Sequence, residues 1–102
     1  MIRPLMLAAL LMAPPALAEN AAEKQQRCEI QAGIVRQAVD LRAKRKSQKR
    51  TTRKIIRSDA IAGTKYESNV DVLAQWVFGL PDDQLSDDAV TAFETACNQY
   101  QQ

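Results

Sequence analysis

Two cysteines, a dense run of cations and a small group of carboxylates are the residues of this 102-residue chain whose types and spacing could do chemistry. Cys28 and Cys97 are its only thiols, and with no histidine and no C-x-x-C pair they offer neither a metal-ligand set nor a dithiol redox motif. The chemistry left to them is one intramolecular disulfide, which would join an early part of the chain to a late one and contribute about 4 kcal/mol on the chain-entropy account. Asp82, Asp83, Asp87 and Asp88 are the only closely spaced carboxylates. They lack the D-x-D-x-D-G spacing and terminal glutamate of a calcium loop, and turn and helix-cap positions already account for them, so no metal is expected. No serine sits in a motif with a base, three glycines make no phosphate-cradling loop, and the usual proton-transfer residue is missing. The chain reads as a non-enzyme that needs no cofactor.

The cations point elsewhere. Between Arg42 and Arg57 nine residues in sixteen are basic: Arg42, Lys44, Arg45, Lys46, Lys49, Arg50, Arg53, Lys54 and Arg57. Such a run attracts phosphate-rich or acidic partners because each contact releases condensed counterions, and binding falls steeply with salt. An acidic protein, an anionic lipid or an anionic glycolipid would suit it. Nucleic acid would not, since no aromatic residue lies between Leu41 and Lys65 to stack a base. The opposing reading is a solvated basic face, partly neutralised from within the molecule. From Glu19 to Lys65 thirteen Lys and Arg stand against five acids, whereas from Tyr66 to Gln102 there are seven acids and no basic residue. An antiparallel packing of the two halves could lay one charge on the other.

The elements that position these groups read as helices. From Glu19 to about Arg45 no proline intervenes, and Cys28, Ala32, Val35 and Val39 form a stripe with Ile30, Ile34, Ala38 and Leu41 beside it. Gly33 falls on the polar side, where its cost has no packing rationale. Extending the stripe forward lands on Arg42, Lys46, Lys49 and Arg53, so the first helix should end near Lys46, and Ser47 is an acceptable cap for a second one holding Ile55, Ile56 and Ala60.

Thr64 and Glu67 have the spacing of a capping box, and Tyr66, Val70, Leu73, Val77 and Leu80 follow on one face. With Val72, Ala74, Trp76 and Phe78 widening that face, this segment is expected at the centre of the bundle, between the helices that carry Cys28 and Cys97, with Trp76 in the core; the other reading of Trp76, flanked by Phe78, is an exposed hydrophobic patch for a partner. Gly79 in a left-handed conformation and Pro81 after it should stop the helix near Phe78. Ser86 then caps a last helix, with Leu85 stapling to Val90, and carries Val90, Phe93, Cys97 and Tyr100 on its apolar side, flanked by Ala89, Ala92 and Ala96.

Residues 1–18 have the pattern of a secretory signal peptide: Arg3, the apolar run from Leu5 to Ala13, and Ala16-Leu17-Ala18 as a small-residue cleavage site. Cleavage near Ala18 would send residues 19–102, with no transmembrane span, to the periplasm or the exterior, where disulfides persist. In this assembly of signal peptide, Cys28 in a first helix, polar middle, Tyr66–Leu80 segment and Cys97 in a last helix, the chain resembles small periplasmic two-cysteine helical proteins of proteobacteria that have no assigned activity. That resemblance implies a helical fold and a disulfide, and it carries over no catalytic residues. Acid-stress periplasmic chaperones share the size, the cysteine number and the helical class, but this chain departs from them in cysteine spacing and in its basic block.

The expected fold is one all-α domain, residues 19–102, a small bundle of three to four helices closed by Cys28–Cys97. The expected function is a non-enzymatic binding or interaction protein using residues 42–57 toward an anionic partner or surface. The competing class is a holdase-type stress chaperone exposing apolar surface of the central helix.

Overall fold

The structure, a computed structural model, describes residues 19–100; the signal-peptide expectation for residues 1–18 lies outside them. Among the described residues four α-helices form an all-α bundle: α1 (Ala21–Ala43), α2 (Gln48–Ile56), α3 (Val70–Phe78) and α4 (Asp87–Gln99), with 3-10 turns at Lys65–Asn69 and Asp82–Gln84. Among the described residues no helix is long and apolar enough to cross a membrane.

The first helix starts at a full capping box. The Glu23 amide donates to Asn20 Oδ1 (2.7 Å) while the Asn20 amide donates to Glu23 Oε1 (3.1 Å), so two amides that the helix leaves free are satisfied reciprocally. Cys28, Ala32, Ile34, Val35, Ala38, Val39 and Leu41 are its buried residues, the stripe and adjoining face that the spacing predicts, apart from half-buried Ile30. A Cβ at Gly33 would meet nothing within 4 Å, so no neighbouring backbone approaches there.

The centre of the bundle is α1, not the Thr64–Leu80 segment. Helices α2, α3 and α4 all pack on α1, and α2 also packs on α3. The reason lies in reach: at 23 residues α1 is long enough to underlie three partners, whereas α3 has only nine. Ile34, Val35, Ile55, Ile61, Val70 and Val77 lose nearly all contact with water in the shared core. Each aliphatic side chain so buried contributes about 1.5–3 kcal/mol before its ordering cost.

Several local expectations shift. The helix does not begin at Thr64: Thr64 Oγ1 accepts from the Tyr66 amide (3.2 Å), and the Glu67 carboxylate reaches back to the Gly63 amide instead of Thr64, so the chain winds as a 3-10 turn until Val70. Gly63 takes the left-handed conformation (φ 77°) that sequence assigned to Gly79, whose φ is −87° although α3 does end at Phe78. The second helix stops at Ile56 and leaves Ala60 exposed in the following turn. Tyr100 lies past the end of α4 and is 61% exposed. Trp76, expected in the core, is 41% exposed and packs on Phe93 with the rings tilted at 46° and their centroids 6.0 Å apart.

Cys28 and Cys97 are bonded, with Cα atoms 5.7 Å apart. Together with an ion pair from Arg36 to Asp87 (3.1 Å), this fixes α4 antiparallel to α1, since Cys28 precedes Arg36 and Cys97 follows Asp87. Arg27 lies over the bridge, its Nη1 3.3 Å from Cys97 Sγ, while Nε and Nη2 grip both Glu19 oxygens at 2.9 and 3.0 Å. The hydrogen bond from Arg27 holds the Glu19 carboxyl below its usual range.

Candidate functional site

The nine cations of residues 42–57 separate into three groups. Arg42 leaves the surface. Its Nη1 donates to the carbonyls of Val77 (2.7 Å) and Leu80 (2.6 Å), its Nη2 to Asp82 Oδ1 (2.9 Å), and its guanidinium lies 5.9 Å from the Phe78 ring centroid. Its side chain is only 17% exposed, so Arg42 is a clamp on the end of α3 and not part of an open basic face. The apolar stripe of α1 runs out at this position, and sequence alone offers no sign that a cation here finds three acceptors about forty positions downstream.

Lys44, Arg45 and Lys46 form the stop of α1. The Arg45 amide donates to the Arg42 carbonyl (2.8 Å) and the Lys46 amide to the Leu41 carbonyl (3.0 Å), the double reversal of a Schellman motif. The pivot of that motif is Arg45 at φ 65°, a conformation that glycine adopts freely and other residues at a cost of about 1–2 kcal/mol. Arg45→Gly should therefore raise stability by about 1 kcal/mol and the melting temperature by about 5 °C, measured by thermal denaturation. An unchanged or lower melting temperature would show that the site is unstrained.

Of the remaining five cations, Lys49, Arg50, Arg53 and Lys54 lie on α2 and Arg57 is its C-cap residue. Ser47 caps it as expected, accepting from the Arg50 amide at 3.1 Å. Thr51 and Ile55 are turned into the core, so Arg50, Arg53, Lys54 and Arg57, at helical spacings of three, one and three, lie together on the outward side and line one shallow concavity. Lys49 and Arg53 line a second concavity with Gln48, Thr52 and Asp71. Among the described residues the ion pairs are Arg27–Glu19, Arg36–Asp87 and Arg42–Asp82; none involves Lys49, Arg50, Arg53, Lys54 or Arg57. Internal neutralisation thus reaches the first helix and stops short of the second, with Asp71 the one acid lining either concavity.

Thr51 Oγ1 and Thr52 Oγ1 are buried without a hydrogen-bond partner. Thr51 faces the core, where its unmatched oxygen costs stability. Thr52 borders the Lys49–Arg53 concavity, but its hydroxyl oxygen is shielded from solvent, so the cations alone face outward there. Among the described residues no group of three or more histidine, cysteine, aspartate or glutamate side chains is placed to hold a metal ion.

Comparison of the chain with protein-family models, with curated proteins and with solved structures found no match.

Proposed function

We propose that this protein is a non-enzymatic binding protein that uses the outward side of α2, Lys49, Arg50, Arg53, Lys54 and Arg57, to hold a surface of closely spaced anionic groups such as phosphate-bearing lipid or glycolipid headgroups. The observation that carries this reading is four exposed cations on a nine-residue helix and a fifth, Arg57, at its C-cap, none with an ion-pair partner. Like charges this close repel one another, and an anionic surface would relieve that repulsion. The apolar side of α2 is engaged in the core at Thr51 and Ile55, so attachment would be electrostatic, at the headgroup level, without insertion.

Cosedimentation with phosphatidylglycerol-containing vesicles tests it. Binding is expected at low salt and should be lost at high salt, as the screening length falls from about 30 Å at 0.01 M to about 3 Å at 1 M. Neutral phosphatidylcholine vesicles should not bind. Replacing Arg50 and Arg53 by glutamine, which keeps helix propensity, should weaken the partition about thirtyfold, at about 1 kcal/mol per cation. Equal partition of the variant, or no partition of the wild type at low salt, would overturn the proposal.

Exposure of Val72 (60%) and Trp76 favours a second reading, a holdase that shields unfolded clients. That function would suppress client aggregation as well in high salt as in low, and the Arg50 and Arg53 changes would leave it intact.

A further inference from the structure

Opposite chemistry gathers between α3 and α4. Both helices pack on α1, and a surface furrow lies between them, crossed by the Trp76–Phe93 ring contact. Val72, Leu73, Trp76, Phe93 and Ala96 line one half of it, and Leu80, Ala89, Asp83 and Asp88 line the other, with Trp76 and Ala92 common to both halves. On α3 the floor runs from Val72 through Leu73 to Trp76, about 6 Å at 1.5 Å per residue, and Leu80, two residues past the end of that helix, extends it toward the acids, room for apolar side chains one to two turns apart on a docked helix. The walls are mostly apolar, Gln84, Ser86 and the two acids stand at one end, and the α1 cations nearby, Arg36 and Arg42, are paired with Asp87 and Asp82 and not with Asp83 or Asp88.

From this geometry and charge we infer that the α3–α4 furrow docks an amphipathic helix of a partner protein, with apolar side chains at i, i+3 or i+4 and i+7 over Trp76 and basic side chains meeting Asp83 and Asp88. A second copy of this chain is a poor occupant. Its basic helix α2 has Thr51 and Ile55 fully buried, and so presents cations without an apolar side. The inference is independent of the anionic surface proposed for α2. If both hold, the protein bridges an anionic surface and a cationic helix through separate faces.

Trp76 is the only tryptophan of the chain, so its fluorescence reports on the furrow directly. The probe is a tryptophan-free peptide of leucine and lysine, with leucine at i, i+3, i+4 and i+7, titrated into the protein alongside its leucine–glutamate counterpart. The lysine peptide is expected to give a saturable blue shift that weakens with salt, and the glutamate peptide none. Asp83→Asn with Asp88→Asn should weaken the lysine peptide about tenfold, the scale of two rim charges. The melting temperature checks that this double variant is folded. Arg50→Gln with Arg53→Gln should retain peptide binding, which separates this site from the basic face. Equal affinity for the two peptides, the behaviour of an unselective holdase, would overturn the inference, as would absence of any shift. A blue shift that grows with protein concentration alone would also overturn it, since a second copy would then be the occupant.

Discussion

Reduction of the Cys28–Cys97 bridge, or its replacement by two alanines, is expected to remove about 4 kcal/mol of stability and lower the melting temperature by about 20 °C. The bridge spans 69 positions and so closes nearly the whole described chain into one loop, the case in which constraint of the unfolded state is largest. The native state also depends on it. Helix α4 otherwise meets the bundle through buried Ala89 and Val90, half-buried Phe93 and the exposed Arg36–Asp87 pair. An exposed pair of that kind contributes at most about 1 kcal/mol. A small domain commonly has little more than about 5 kcal/mol in total, so the reduced protein should lose α4 first and be largely unfolded at body temperature. Circular dichroism melts with and without dithiothreitol measure this. Melting temperatures within a few degrees of each other would show that the core holds α4 unaided.

Arg42→Ala should destabilise the fold by about 3 kcal/mol, although the residue belongs to a run that reads as surface charge. One guanidinium gathers two carbonyls at the end of α3 and the Asp82 carboxylate beyond it, tying the last turn of α1 to the turn that leads into α4. The planar fork is what allows one side chain to serve three acceptors. Arg42→Lys keeps the charge but offers a single ammonium, and should recover less than half of the loss. Urea denaturation of the three proteins gives the comparison, and hydrogen exchange at Leu80 and the residues of the Asp82–Gln84 turn should quicken in the alanine variant. A loss below about 1 kcal/mol would mean that water replaces the guanidinium freely. The alanine variant should still bind anionic vesicles, which distinguishes this structural cation from Arg50 and Arg53.

The contrast between Arg42 and Arg50 marks how far the sequence is legible. Both stand in the same basic run, and Arg42 even continues the apolar stripe of α1, which reads as the place where burial ends. Arg50 is exposed as expected because its position on α2 follows from Ser47 and helical spacing. The fate of Arg42 depends on where residues about forty positions away come to lie, and its long apolar stem lets the charged end reach them. The same division runs through the hydrophobic positions. Val70 and Val77 are buried as their spacing predicts, yet Trp76 and Val72 on the same short helix are not. Apolar character around most of a helix calls for two neighbours, and α3 has them in α1 and α2, not in the α1–α4 pair that carries the cysteines, so Val70, Ala74 and Val77 are covered while Val72 and Trp76 stay exposed.

By itself the sequence determined the one disulfide that two cysteines allow and, beyond that, what is decided within a few residues: the caps at Ser47 and Ser86, the end of a helix before Gly79-Pro81 and the apolar arc of α1. The caps, the helix end and the arc rest on hydrogen bonds and side-chain spacings spanning one or two turns, and chain chemistry fixes them wherever the segment lies; the disulfide follows from there being no other thiol. Only the tertiary structure decided that α1 is the hub, that Arg42 is withdrawn from the basic face, that Arg45 carries a left-handed helix stop without glycine, and that an acid-ended apolar furrow stays open beside Trp76. Each of those depends on which surfaces meet across long separations. Helical periodicity gives the direction in which a side chain leaves its helix and says nothing of what waits there.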